Sequence, residues 1–261
     1  MSEKTPIPVI GTAIVNSPHW IKRLVDSVDY PTDNFVIFNN NGRGQITKEL
    51  DDIALQEHPF IKNIIVTHMP SNIGCSGSWN LIIKSFMNSP YWIISNHDVA
   101  YTKGFLEEMI TKAKDPEVGV VHGRKGDFNV GSWDLFLIKD WVIQEYGLFD
   151  ENLYPAYGED VDYIMRFRQK PIKRIMGLDK KYYHGDTFEY YETGEQTKRG
   201  EPELIEKLNK ANLTNFEYLT KKWGKGWRML DPYKYPFNNE TLPLSTTTYD
   251  LKFVRRKHLG F

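Results

Sequence analysis

Apolar residues recur along this chain in two alternating rhythms. Short β-branched runs predict strands at residues 8–15, 35–38, 63–66 and 91–94. Each is followed by a helical pattern. Trp20, Ile21, Leu24, Val25 and Val28 follow the first, with Ser17 offering an N-cap oxygen and Pro18 at the first helical position. Leu50, Ile53 and Ala54 follow the second. Trp79, Ile82, Ile83 and Phe86 mark a helix over 77–87 after the third. Phe105, Leu106, Met109, Ile110 and Ala113 follow the fourth. This βαβαβαβα order predicts an α/β fold: a doubly wound, mainly parallel sheet with helices on both faces.

Beyond Val118 the rhythm changes. Strands are expected at 118–121, 135–138 and 180–184, and helices at 140–146, 159–169 and 201–223. A Gly-rich loop spans 123–133. Residues 185–200 are polar, aromatic and aperiodic. The segment after 223 is proline-bearing with little period. The expected organisation is one domain over 1–190, with halves meeting near residue 100. A C-terminal helical and irregular extension, 191–261, packs on the same domain.

Composition narrows the classes. The chain has 261 residues, 33 Lys plus Arg, 34 Asp plus Glu and a net charge of -1. That balance argues against a nucleic-acid binder. Cys75 is the single cysteine, which excludes an intramolecular disulfide and a cysteine-rich zinc site. The opening MSEKTPIPVI has no apolar core of a signal peptide, and no apolar run is long enough to span a bilayer. A cytoplasmic protein is expected. Oligomeric state is not readable.

In doubly wound sheets, ligands bind beyond the carboxyl ends of the strands. The polar residues expected there are Asn16, the Asn39–Gly42 cluster, residues 70–78, and Asn96-His97-Asp98. The run Asn72 to Asn80 leads from strand to helix and holds Gly74 and Gly77. It suits either a phosphate cradle or a plain tight turn. Asp98 at a strand end is either a cation ligand or a turn residue. Glu159, Asp160 and Asp162 open a helix. N-terminal capping explains Asp162 and Glu159 but not why three acids crowd into four positions. His184 is a metal ligand, a phosphate donor or a structural histidine.

Taken in order, these pieces resemble the GT-A glycosyltransferases, specifically glycosyltransferase family 2. The matching residues are Ile14-Val15-Asn16, Asn39-Asn40-Asn41-Gly42, then Asn72, Gly74, Gly77 and Asn80. Next come the DxD-like Asn96-His97-Asp98, Gly147 to Glu151, Glu159-Asp160, Arg166 and His184. Lys221-Lys222-Trp223-Gly224 looks like the end of many relatives. The resemblance implies a nucleotide-sugar donor, with a UDP-sugar favoured. Val15, Asn16, Asn39, Asn40, Asn72, Gly74, Gly77, Asn80, Asn96 and His97 would bind it. It implies a divalent cation at Asp98, with His184 as a further ligand tilting the preference from Mg²⁺ toward Mn²⁺. Asp160 would be the general base of an inverting transfer, with Glu159 beside it. Trp133, Asp134, Tyr154 and Tyr157 would meet a glycan or glycoconjugate acceptor, and Lys198 and Arg199 would reach the diphosphate. Two rival readings stand beside it. One is a sugar-nucleotide nucleotidyltransferase, which wants a basic Gly-rich loop where this chain has Asn16-Ser17-Pro18. The other is a non-catalytic sugar-nucleotide or carbohydrate binder.

Overall fold

A computed structural model describes residues 4–42, 44–124, 133–188 and 202–224. The elements are β1 (Ile7–Ile14), α1 (His19–Asp26), β2 (Thr32–Asn39), α2 (Thr47–Ala54), β3 (Ile61–His68), α3 (Gly74–Ser85), β4 (Tyr91–Asn96) and β5 (Val99–Tyr101). There follow α4 (Phe105–Ala113), β6 (Val118–His122), β7 (Leu135–Lys139), α5 (Asp140–Tyr146), α6 (Glu159–Gln169), β8 (Arg174–Gly177), β9 (Tyr182–His184), β10 (Thr187–Phe188) and α7 (Pro202–Trp223).

The main sheet runs β3-β2-β1-β4-β7-β6-β8. Its neighbours are parallel except around β7, which is antiparallel to both β4 and β6. Period-2 alternation divides the core. Ile10, Phe35, Ile37 and Ile93 face α1, α2 and α4, whereas Val9, Val36, Phe38, Trp92 and Ile94 face α3, α5 and α6. Both faces are covered, so β1 is almost wholly buried along its length, as parallel strands are. Gly11 makes one of these contacts close. A Cβ there would meet Ile82 Cγ2 at 2.5 Å, so only glycine lets α3 lie this near β1.

A second, small sheet runs β10-β9-β5. Its register sets Val99 opposite His184, which brings Asp98 and His184 together from distant parts of the chain. The last helix, α7, packs Tyr218, Leu219 and Trp223 on Leu153 and Met165.

Several expectations are corrected. Ser17 does not cap α1: its φ is +60° and its Oγ donates to Asn16 Oδ1, and the helix begins at His19. The helix expected over 77–87 begins earlier, at Gly74, because Asn72 Oδ1 accepts the Gly74 N–H and Pro155 O accepts that of Cys75. Gly77 is therefore helical rather than part of a turn. The loop over 123–133, the segment 185–200 and the tail fall largely outside the described residues, as do Lys198 and Arg199.

Candidate active site

A cavity of about 640 Å³ opens at the carboxyl ends of the parallel strands. Its polar side carries Val15, Asn40, Asn72, Ser78, Asn96 and His97. Its other side carries Glu159, Asp160, Val161, Ile164, Leu204 and Leu208, with Trp133 and Asp134 also on the wall. A volume of this size suits a small-molecule ligand.

The Asn40 amide is oriented by a short relay. Its Nδ2 donates to Ser78 Oγ at 2.7 Å, and the single Ser78 hydroxyl proton goes to Gly74 O at 2.6 Å. Ser78 must therefore accept from Asn40, which fixes which end of the amide is the nitrogen. Asn40 Oδ1 is buried and has no hydrogen-bond partner among the described residues. Below it, Gly74 has φ +79°, and a Cβ there would sit 2.8 Å from Tyr154 Cδ2. The backbone of α3 thus enters the cavity edge at a point that only glycine fits.

At the opposite wall α6 begins. Tyr157 and Gly158 both adopt left-handed φ, 77° and 101°. Such a conformation is strained for tyrosine and holds only where neighbours fix it. Asn215 of α7 does so, its Nδ2 donating to Ala156 O at 3.0 Å and Tyr157 O at 2.9 Å. Glu159 is buried with Oε2 unpartnered among the described residues. Burial pushes its carboxyl up to about 8, and the charge of Asp160 adds to this. Asp160 is also raised by burial, against the Val161 N–H that its Oδ1 accepts at 2.7 Å. The Cys75 thiol is held well above its usual range by burial and by Glu159, so it is no nucleophile at neutral pH.

Asp162, two residues on, has the opposite surroundings. It is wholly buried, yet although burial alone would raise it, Lys222 and Arg166 hold it below the usual carboxylate range. Arg166 Nη2 lies 2.6 Å from Oδ2, and Lys222 Nζ lies 2.7 Å from Oδ1. Capping of α6, the expectation from its position, is not its role.

Asp98 and His184 are both buried, and Asp98 Oδ1 lies 3.3 Å from His184 Nε2. The other imidazole nitrogen lies 3.2 Å from Asp134 Oδ2. Asp134 in turn accepts from Tyr182 Oη and Arg124. Burial opposes both ionised forms, but the pairing keeps His184 above and Asp98 below their ordinary values. His97, next in sequence, is on the cavity wall. Burial lowers its pKa, and its Nε2 has no partner among the described residues.

Residues 10–176, more than half of the chain, match the family described as Glycosyl transferase family 2. The chain belongs to glycosyl transferase family 2. The galactofuranosyl glycosyltransferase of Leishmania donovani is 21% identical over 260 residues, covering 74% of this chain and 60% of that protein. The chain thus spans about three fifths of that relative's length. Among solved structures, GalNAc-T7 with UDP, GalNAc and Mn²⁺ superposes with TM-score 0.64 at 13% identity, covering 99% of this chain and 55% of that one. The TarS 1–349 fragment of S. aureus gives 0.51 at 14%, covering 85% and 74%. At these identities the likeness establishes the GT-A-type fold.

Within this family 2 domain the cavity gathers Val15, Asn40, Asn72, Gly74, Asn96, His97, Trp133, Asp134, Tyr157, Glu159 and Asp160 from the expected set. Seven others lie off its wall, among them Tyr154, whose Oη donates to Asn72 O at 3.0 Å. Asn39 is spent on His68 Nδ1 at 2.9 Å and on the Asn41 N–H. Asn80 clamps α3 to the segment before Leu153: Nδ2 donates to Phe149 O and Glu151 Oε1, and Oδ1 accepts the Phe149 N–H. Gly77 faces Ile73 and Glu151, and Asn16 accepts from Ser17. Asp98 and His184 sit one residue behind the wall, joined to it through His97 and Asp134. Trp133 lines the cavity while also packing edge-on against Phe136 and Phe149, so it serves wall and core together. Cys75 and Ser78 were expected on the rim only as members of the 70–78 segment, with no role of their own, and residue patterns missed Arg124, Leu204 and Leu208. The two leucines stand at helical spacing, i and i+4, which signals a buried face but not what it faces.

Proposed function

We propose that this chain transfers a sugar from a UDP-sugar to a hydroxyl of a glycan or glycoconjugate, with inversion. The observation that carries the reading is a single cavity joining the strand-end amides to the Glu159-Asp160 pair. Donor on one wall and base on the other is the arrangement a direct displacement needs. Asn40 Oδ1, an oriented acceptor, suits the N3–H of uracil; adenine and cytosine have no ring N–H on that edge and offer only an exocyclic amine, set at a different position, as donor. The Leishmania relative's name makes a galactofuranosyl donor the first to try, and TarS with UDP-GlcNAc makes that sugar nucleotide the second.

Asp160 is the general base in this reading. It removes the acceptor proton as the new bond forms, while Glu159, neutral near pH 7, neither competes for that proton nor repels the donor diphosphate. Trp133, Asp134 and Tyr157 would orient the acceptor. Among the described residues no group of three or more His, Cys, Asp or Glu is able to hold a metal. Asp98 would be the residue to hold a cation, its Oδ2 being buried without a partner among the described residues; His184, whose two nitrogens face Asp98 and Asp134, would join it only by releasing one of them, and that imidazole would favour Mn²⁺ over Mg²⁺. Bound there, the cation would neutralise charge on the leaving diphosphate. No helix among the described residues is long and apolar enough to cross a membrane.

The test is thermal shift with UDP, ADP and CMP, with and without Mn²⁺, followed by turnover of UDP-sugars and anomeric assignment of the product. UDP alone should raise the melting temperature. Equal stabilisation by all three nucleotides would remove the uracil assignment, and retention of anomeric configuration would remove the single displacement.

A further inference from the structure

The family match ends at residue 176, yet α7, beyond it, touches the cavity site throughout its length. Leu204 and Leu208 are on the wall, Asn215 holds Ala156 and Tyr157, and Leu219 packs beneath Gly158. The C-terminal turn goes deepest. Lys222 Nζ lies 2.5 Å from Asp150 Oδ2 and 2.7 Å from Asp162 Oδ1, and both carboxylates are fully buried. Every other lone pair in this cluster is met. Asp150 also accepts from Tyr218 Oη and from Asn152, and Asp162 from Trp223 Nε1 and Arg166. Two acids and two bases balance.

Asp162 shares the first turn of α6 with Asp160. Two residues rotate a helix by about 200°, so the two carboxylates leave on nearly opposite sides. One side is the cavity and the other is this network. Buried ion networks add little net stability over an apolar core, but they accept one geometry only, because each displaced partner strands a charge. A turn anchored this way cannot roll without separating Lys222 from one of its two acids.

We propose that Lys222 is a positioning residue: by binding Asp150 and Asp162 at once it fixes the roll of the first turn of α6 and thereby the aim of Asp160. This rests on the reading of Asp160 as base. Removing the amine alone would strand two buried carboxylates, so the informative variant is K222M/D150N, in which Asp162 and Arg166 still pair and the cluster stays neutral. The full chain is used, with UDP-galactofuranose or UDP-GlcNAc as donor, whichever the wild type turns over. K222M/D150N should fold, bind UDP within threefold of wild type, keep its donor KM, and lose tenfold or more in kcat. K222R, which keeps the charge, should recover kcat to within threefold of wild type. If K222M/D150N does not fold, K222Q/D150N, whose amide still reaches Asp162, carries the same comparison. Wild-type kcat in a folded double variant overturns the proposal. Hydrogen exchange separates this failure from failure of the functional reading. Amides at 156–162 should exchange faster in the double variant even if no donor is ever turned over, and unchanged exchange there overturns the positioning role by itself.

Discussion

The two walls of the cavity are built from different physics. The strand-end wall is made of neutral amides and hydroxyls, Asn40, Asn72 and Ser78, each held in place by one or two ordinary hydrogen bonds. The α6–α7 wall is backed by ionised groups: Asp150, Asp162 and Arg166 are at most 1% exposed. A neutral hydrogen bond contributes about 1 kcal/mol net, whereas an orphaned buried charge costs several. Substitutions on the first wall should therefore read out in ligand binding, and those behind the second in folding. Asp160 lies at the seam. It shares a helical turn with Asp162, yet burial without a cation raises one acid while two cations depress the other. Partners, not positions, decide what each carboxylate does.

The largest effect should come from D162N. Removing that charge leaves Lys222 and Arg166 sharing Asp150 alone, and stability should fall by about 3–5 kcal/mol in chemical denaturation. The folded pKa of Asp162 is depressed, so its contribution is present above the unfolded value near ~3.9 and fades as pH falls below it. The gap between wild type and D162N should narrow accordingly in acid, and a constant gap would contradict the pairing.

E159Q comes next, with the opposite sign. A carboxyl at about 8 in the folded state binds its proton more tightly than in the unfolded chain. Wild-type stability should then decline as pH rises from about 4.5 to 8, because the native state holds more protons there. E159Q should flatten that decline and be the more stable protein at pH 8. A parallel pH dependence in both proteins would show that Glu159 ionises normally.

The smallest effects divide the neutral wall. N40A should weaken UDP binding roughly tenfold, the worth of one buried hydrogen bond, with calorimetry as the readout. N39A should change it less than twofold, since that amide is engaged by His68. Equal losses at both sites would move the base to the Asn39 side.

Much of this architecture is legible from residue order. Period-2 and helical patterns place the four parallel strands, and the expected α5 and α6 coincide with Asp140–Tyr146 and Glu159–Gln169. β5, β8 and β10 were missed because runs of two to four residues carry no period. In the site, the pattern selects the right segments but not always the right atoms. Asn39 and Asn40 are equivalent as letters, and only strand register sends one to His68 and the other to Ser78. Asn80 has a binding residue's chemistry, but Phe149 and Glu151, 69 and 71 residues away in sequence, consume it. The α7 contribution was hidden for the same reason: Lys222 meets Asp150 and Asp162 through tertiary packing alone.

The central claim is that Asp160 faces a donor-filled cavity as the base. It is tested most directly by measuring turnover and UDP affinity together on D160N. The amide keeps the shape and the acceptor for the Val161 N–H but takes no proton. Turnover should fall by roughly 10²–10⁴ while the Kd for UDP stays within twofold. Near-wild-type turnover, or a loss of UDP affinity that accounts for the whole defect, would contradict it.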